Sequence, residues 1–74
     1  MNKTVTFESD NGRKLSILAE NISHIGMYSK GGMWHVDIVY KDMVIPFKAY
    51  YGGSAETANN AADAAVAIWD KGLK

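Results

Sequence analysis

The 74-residue sequence contains no cysteine. That absence removes disulfides, thiolate metal sites and cysteine nucleophiles together, and leaves the redox compartment undetermined. Neither sign of charge is in excess, because eight lysines and arginines balance eight aspartates and glutamates. Proteins that grip the phosphate backbone of nucleic acids normally carry a basic surplus, so this balance argues against a dedicated role of that kind. Long apolar runs are also missing, and the opening Met1-Asn2-Lys3-Thr4-Val5-Thr6-Phe7-Glu8 has none. The expectation is a chain with neither a signal peptide nor a membrane span, working in the cytoplasm. One proline, Pro46, occurs in the whole sequence. At 47% hydrophobic and 22% charged residues the chain has ordinary globular composition, and its length allows one domain.

Residues 3–51 are aromatic and β-branched, residues 54–71 are alanine-rich, and Gly52-Gly53 separates them. No repeat interrupts either part, so residues 1–74 are read as a single domain. Asp10-Asn11-Gly12 suits a three-residue hairpin loop with Gly12 in the left-handed position. Such a loop sets Phe7 opposite Leu15 and Val5 opposite Ile17 on one face. A turn centred on Lys30-Gly31-Gly32 sets Met27 opposite Trp34 and Ile25 opposite Val36. A turn at Lys41-Asp42 aligns Trp34, Val36, Ile38 and Tyr40 with Met43, Ile45, Phe47 and Ala49. All three registers give one shared apolar face. The parity slips between Ala19 and Ile22, which predicts a break, bulge or helical turn near Glu20-Asn21. Pro46 cannot donate to a ladder, so its strand belongs at an edge or has that nitrogen pointing outward.

The tail reads as a helix capped by Ser54, with Glu56 in its first turn and Lys71 and Gly72 marking its end. Ala58, Ala61, Ala62, Ala65 and Trp69 form a stripe flanked by Ile68, while Glu56, Asn59, Asp63 and Asp70 lie opposite. This helix is marginal alone and must dock on the apolar sheet face. The expected fold is α+β: a strongly twisted four-stranded antiparallel β-meander covered on one face by a C-terminal helix, in the order ββββα.

Function then falls to the other face of the sheet. The registers place Tyr28, Met33 and Tyr50 in one row, Gly26, His35 and Lys48 in the next, and His24, Asp37 and Pro46 beyond. Val39 and Val44 follow. A solvated face more often carries threonine, lysine and glutamate, so this aromatic, methionine and valine content points to an interface. His24 opposite Asp37 forms a weak polar cluster suited to an imidazole–carboxylate hydrogen bond. His35 lies diagonal to that pair rather than converging on it, so no metal site is assigned. Ser23 and Ser29 lack the surroundings that activate a nucleophile, and no catalytic residue or cofactor is assigned. Gly52-Gly53-Ser54 lacks both the P-loop lysine and the dinucleotide spacing, so its role is to turn the chain into the helix.

The arrangement resembles, in size and architecture, small accessory proteins of bacteria and their phages, a likeness that implies no activity. The expectation is a non-enzymatic interaction module that binds itself or a partner protein through the helix-free face, or adds strands at an edge. A thin core also favours oligomerisation. The competing expectation is a single-stranded nucleic-acid-binding or small-ligand or metal-binding module using the aromatic and histidine face.

Overall fold

The computed structural model describes residues 3–42 and 45–74. Among these residues it is an α+β fold with antiparallel sheets and one C-terminal helix, but with five strands in two sheets rather than one four-stranded meander. Strands β1 (Thr4–Glu8) and β2 (Lys14–Leu18) form a hairpin of their own. Strands β3 (Ile22–Lys30), β4 (Met33–Tyr40) and β5 (Phe47–Gly52) form a three-stranded meander, and α1 spans Ala55–Gly72.

The extra strand arises where the parity slips. Ala19–Asn21 forms a single 3-10 turn, which divides the long segment into β2 and β3. The turn is held from three sides. Ala19 N–H donates to the Lys3 carbonyl at 2.9 Å, the Trp69 indole donates to the Ala19 carbonyl at 2.9 Å, and Lys41 N–H donates to the Asn21 carbonyl at 2.8 Å. A buried backbone turn needs such partners, and these tie the hairpin, the meander and the helix together there.

The first hairpin has the predicted register, with Phe7 opposite Leu15 and Val5 opposite Ile17. Ser9 N–H donates to the Arg13 carbonyl at 2.8 Å across the loop, and Gly12 takes φ +88°. The Ser9 hydroxyl accepts from Arg13 N–H and bonds to the Asn11 side chain, so the polar loop satisfies itself.

The second hairpin differs from expectation by two residues. Gly31 and Gly32 alone form the loop, with φ +61° and +80°, so Lys30 pairs with Met33 and Met27 pairs with Val36. Two consecutive positive φ values match the right-handed strand twist in a two-residue loop, and glycine adopts them at little cost. A shift of two keeps each side chain on its face, so the division into apolar and polar sides survives.

The third connection departs further. Ile38 pairs with Phe47 rather than Ile45, and Ile45 is 76% exposed. Strand β5 starts at Phe47, after Pro46. Met43, placed in the apolar row by its spacing, lies outside the described residues. Within β5 the register slips again, because Asp37 pairs with Lys48 while Val36 pairs with Tyr50. Ala49 is the additional residue of a β-bulge, and both Ala49 and Tyr50 are buried. A bulge sets two residues against one, and so reverses the alternation of everything beyond it.

The core joins Val5 and Phe7 of the hairpin, Ala19, Ile22, Val36, Ile38, Ala49 and Tyr50, and Ala58 and Ala65 of the helix. Trp34, Phe47 and Trp69 pack against it half-buried. Ser54 caps α1 as predicted, its hydroxyl accepting from Thr57 N–H at 3.1 Å. Gly72 marks the end of α1 as expected: it is the last helical residue and is buried, and Leu73 caps the helix with ordinary right-handed geometry. None of the described helices is long and apolar enough to cross a membrane.

Candidate interaction face

On the helix-free side of the meander, Tyr28, His35 and Tyr51 occupy one cross-strand row of β3, β4 and β5. The Tyr28 and His35 rings stack with centroids 4.6 Å apart and planes 3° from parallel. Tyr51 leans on the other side of His35 at 4.8 Å and 57°. Rings stacked between adjacent strands stand up from the sheet, so His35, with a ring on each side, meets solvent by its edge, while Tyr28 has a ring on one face only. Tyr28 is 43% exposed and Tyr51 51% exposed.

Beside this ladder lies a charged pair. Lys48 Nζ donates to Asp37 Oδ1 at 2.9 Å and to His35 Nδ1 at 2.9 Å, and sits 5.8 Å from the Tyr28 ring centre. An ammonium has no acceptor, so His35 Nδ1 must carry the lone pair and Nε2 the hydrogen. Asp37 is only 8% exposed, and its register partner on β3 is Gly26, which adds no side chain. Lys48 is thus the partner that makes burial of this carboxylate tolerable. Partial burial pulls the Lys48 pKa down, but the hydrogen bond and charge of Asp37, aided by Tyr28, outweigh it and raise the pKa above the ordinary lysine value.

Removing the two partners should have unequal effects. Asp37→Asn leaves a lysine able to turn to water and should cost about 0.5 kcal/mol. Lys48→Met leaves a buried carboxylate uncompensated and should cost about 1–2 kcal/mol. Urea unfolding of the two variants at neutral pH checks the order. Because the Lys48 pKa is raised by folding, the pair's contribution is complete below the ordinary lysine range and is lost as pH rises through the raised value. The wild type should lose this increment only in strong alkali, and Lys48→Met should show no such loss.

The structure brings together Tyr28, His35, Asp37 and Lys48 among the predicted residues, and rearranges the others. Tyr50 is not on this face: the bulge at Ala49 turns it into the core, where its hydroxyl accepts from Ser54 N–H at 3.3 Å. Tyr51 takes the place expected of Tyr50. No local propensity distinguishes the two tyrosines, and only the bulge does. Met33 lies opposite Lys30 at the hairpin tip rather than in the Tyr28 row. His24 lies opposite Val39, because a second bulge at Ser23 shifts the register, and its ring nitrogen Nδ1 is 3.4 Å from the Ser23 hydroxyl. The expected His24–Asp37 pairing is therefore replaced by Asp37–Lys48. Val39 is half-buried, and Val44 lies outside the described residues.

Among the described residues no group of three or more histidines, aspartates or glutamates is placed to hold a metal ion. A cleft of about 480 Å³ opens beside Tyr51, between the Asp10–Arg13 loop and β5, with Arg13, Tyr40, Phe47 and Lys48 on its walls. No protein-family model, curated protein or solved structure matches the chain, so the site rests on its own geometry.

Proposed function

We propose that the chain is a non-enzymatic interaction module whose helix-free face binds a protein surface, with Tyr28 and Tyr51 as its anchors. The observation that carries this reading is the stacked Tyr28–His35–Tyr51 ladder over a neutralised Lys48–Asp37 pair. Tyrosines offer large contact area at small entropic cost, and hot spots are enriched in them. Their neighbours hold these rings before any partner arrives, which lowers the ordering cost of binding. The cleft beside Tyr51 gives a recess for a partner's side chain.

The same geometry disfavours single-stranded nucleic acid. Base stacking needs open ring faces, yet His35 has both faces covered and Tyr28 one. Lys48, the lysine at the ladder, is committed to Asp37.

A photo-crosslinking residue at position 51, against a control at the exposed helix position Asn59, tests the proposal in cells of the source. Protein adducts should form from position 51 only, and Tyr28→Ser should reduce their yield about tenfold or more. Nucleic-acid adducts, or equal yields from both positions, would defeat it. Tyr51→Ser itself should leave folding stability within about 0.5 kcal/mol of wild type, as exposed substitutions do.

A further inference from the structure

The strand edges are protected unequally. The outer edge of β5 is broken by the Ala49 bulge, follows Pro46, and has its Ala49 carbonyl taken by Asp10 N–H at 3.3 Å. Strand β2 is five residues long and begins on a lysine. Strand β3 runs for nine residues, contains no proline, and pairs with no strand but β4 among the described residues. Its only charged side chain from Ile22 to Lys30 is the last residue, leaving histidine aside. Proteins ordinarily blunt such an edge, and its hydrogen-bonding groups are a template for another strand.

The ladder tells which groups point outward. Lys30 and Met33 flank a two-residue loop and therefore exchange both their backbone hydrogen bonds. Alternation from there directs Tyr28, Gly26 and His24 toward β4. The backbone N–H and C=O groups of Ile25, Met27 and Ser29 face away from the sheet.

We infer that a second copy of this chain pairs antiparallel along β3, about a twofold axis at Met27. This deepens the interaction-module reading but uses a different surface from the aromatic face. The register matches Met27 with its own twin and Ile25 with Ser29 of the other copy, so every outward group from 25 to 29 finds a partner. It stops short of the bulge at Ser23. The two Lys30 residues fall at opposite ends, so no like charges meet. Met27, 38% exposed, gains a cover.

A second feature favours the same register. It sets Tyr28 of one copy opposite Gly26 of the other, on the helix-free side. The space a side chain would occupy above Gly26 is open, with no atom within 4 Å of the Cβ position. One face of the Tyr28 ring rests on His35 of β4, so the other faces away from β4, toward the side where the second copy would lie. An aromatic ring laid over a cross-strand glycine is a known stabiliser of strand pairing.

The absence of native cysteine makes the register directly testable. Under mild oxidation Met27→Cys should form a covalent dimer rapidly. Ser29→Cys should not, since its copies would lie about 14 Å apart along the strands. Sedimentation equilibrium of the wild type, from micromolar to millimolar, should show approach to twice the 8.1 kDa chain mass. Met27→Lys should raise the dimer dissociation constant about tenfold or more, with unchanged circular dichroism. Tyr51→Ser should leave the dimer intact, which separates this edge from the partner-binding face. A wild type monomeric at millimolar concentration overturns the inference, as does Met27→Cys crosslinking no faster than Ser29→Cys.

Discussion

Replacing Phe7 with alanine should lower the unfolding free energy by about 3–5 kcal/mol. Phe7 is 2% exposed and is the largest fully buried side chain. It sits on β1, outside the three-stranded meander, near Ala49, Ala61, Ala64, Ala65 and Ile68. Those neighbours are mostly alanines on a helix, which cannot extend to fill the void. The lost transfer energy and the cavity term should therefore add nearly in full. A domain of this size is expected to hold roughly 4–11 kcal/mol in total. Phe7→Ala should thus show a large drop in the urea midpoint, or no cooperative transition at all. Phe7→Leu, which keeps most of the volume, should recover more than half of the loss. Equal losses in the two variants would mean that the hairpin is not seated on the helix as described.

Gly72→Ala should also destabilise, by about 3 kcal/mol, although alanine is the better helix former by about 1 kcal/mol. A Cβ at Gly72 would stand 2.4 Å from Val5 Cγ1 and 2.7 Å from Ala19 Cβ. Neither neighbour is the end of a flexible chain. Val5 is a β-branched core residue and Ala19 is fully buried in its turn. The main chain is locked as well, since Lys3 N–H donates to the Gly72 carbonyl at 3.1 Å. Overpacking must therefore push helix and hairpin apart, breaking bonds at both. Thermal unfolding of Gly72→Ala beside Ala67→Gly, an exposed helix position, separates the two effects. The first should lose far more than the propensity difference and the second about 1 kcal/mol. A stabilised Gly72→Ala would refute the close approach.

How much of this was legible in the residues depended on the range of the rule involved. Asp10-Asn11-Gly12 is a local loop with one register that keeps Phe7 and Leu15 on the same face, and the structure has that register. The division between helix-covered and helix-free faces survived in β3 and β4, because an error of two residues cannot turn a strand over. It failed at Tyr50, where one added residue reverses the alternation and exchanges a core tyrosine for a surface one. Nothing adjacent to Ala49 signals that bulge. It is accompanied by a local bond from Ser54 N–H to the Tyr50 hydroxyl and by a tertiary one from Asp10 N–H to the Ala49 carbonyl, and only the folded chain supplies the second. Gly72 was legible as the end of the helix but not as a packing residue: only Val5 and Ala19, far away in sequence, reveal that it is needed for its missing side chain. The aromatic face was half legible: Tyr28, His35 and Lys48 were placed together, whereas Tyr51 and the Lys48–Asp37 pair depend on the shifted registers.

The seams around Ala19 and Gly72 also order events during synthesis. All five strands leave the ribosome before α1, and α1 supplies the Trp69 donor and the Gly72 acceptor that fasten the hairpin. At translation rates of about 5–20 residues per second, the 18 residues of α1 take on the order of one to four seconds to make. Until α1 docks, Val36, Ile38 and Tyr50 have no lid. The nascent meander is then a bare apolar layer with an open margin at β3, and a chaperone or a neighbouring nascent chain would meet it first in that interval.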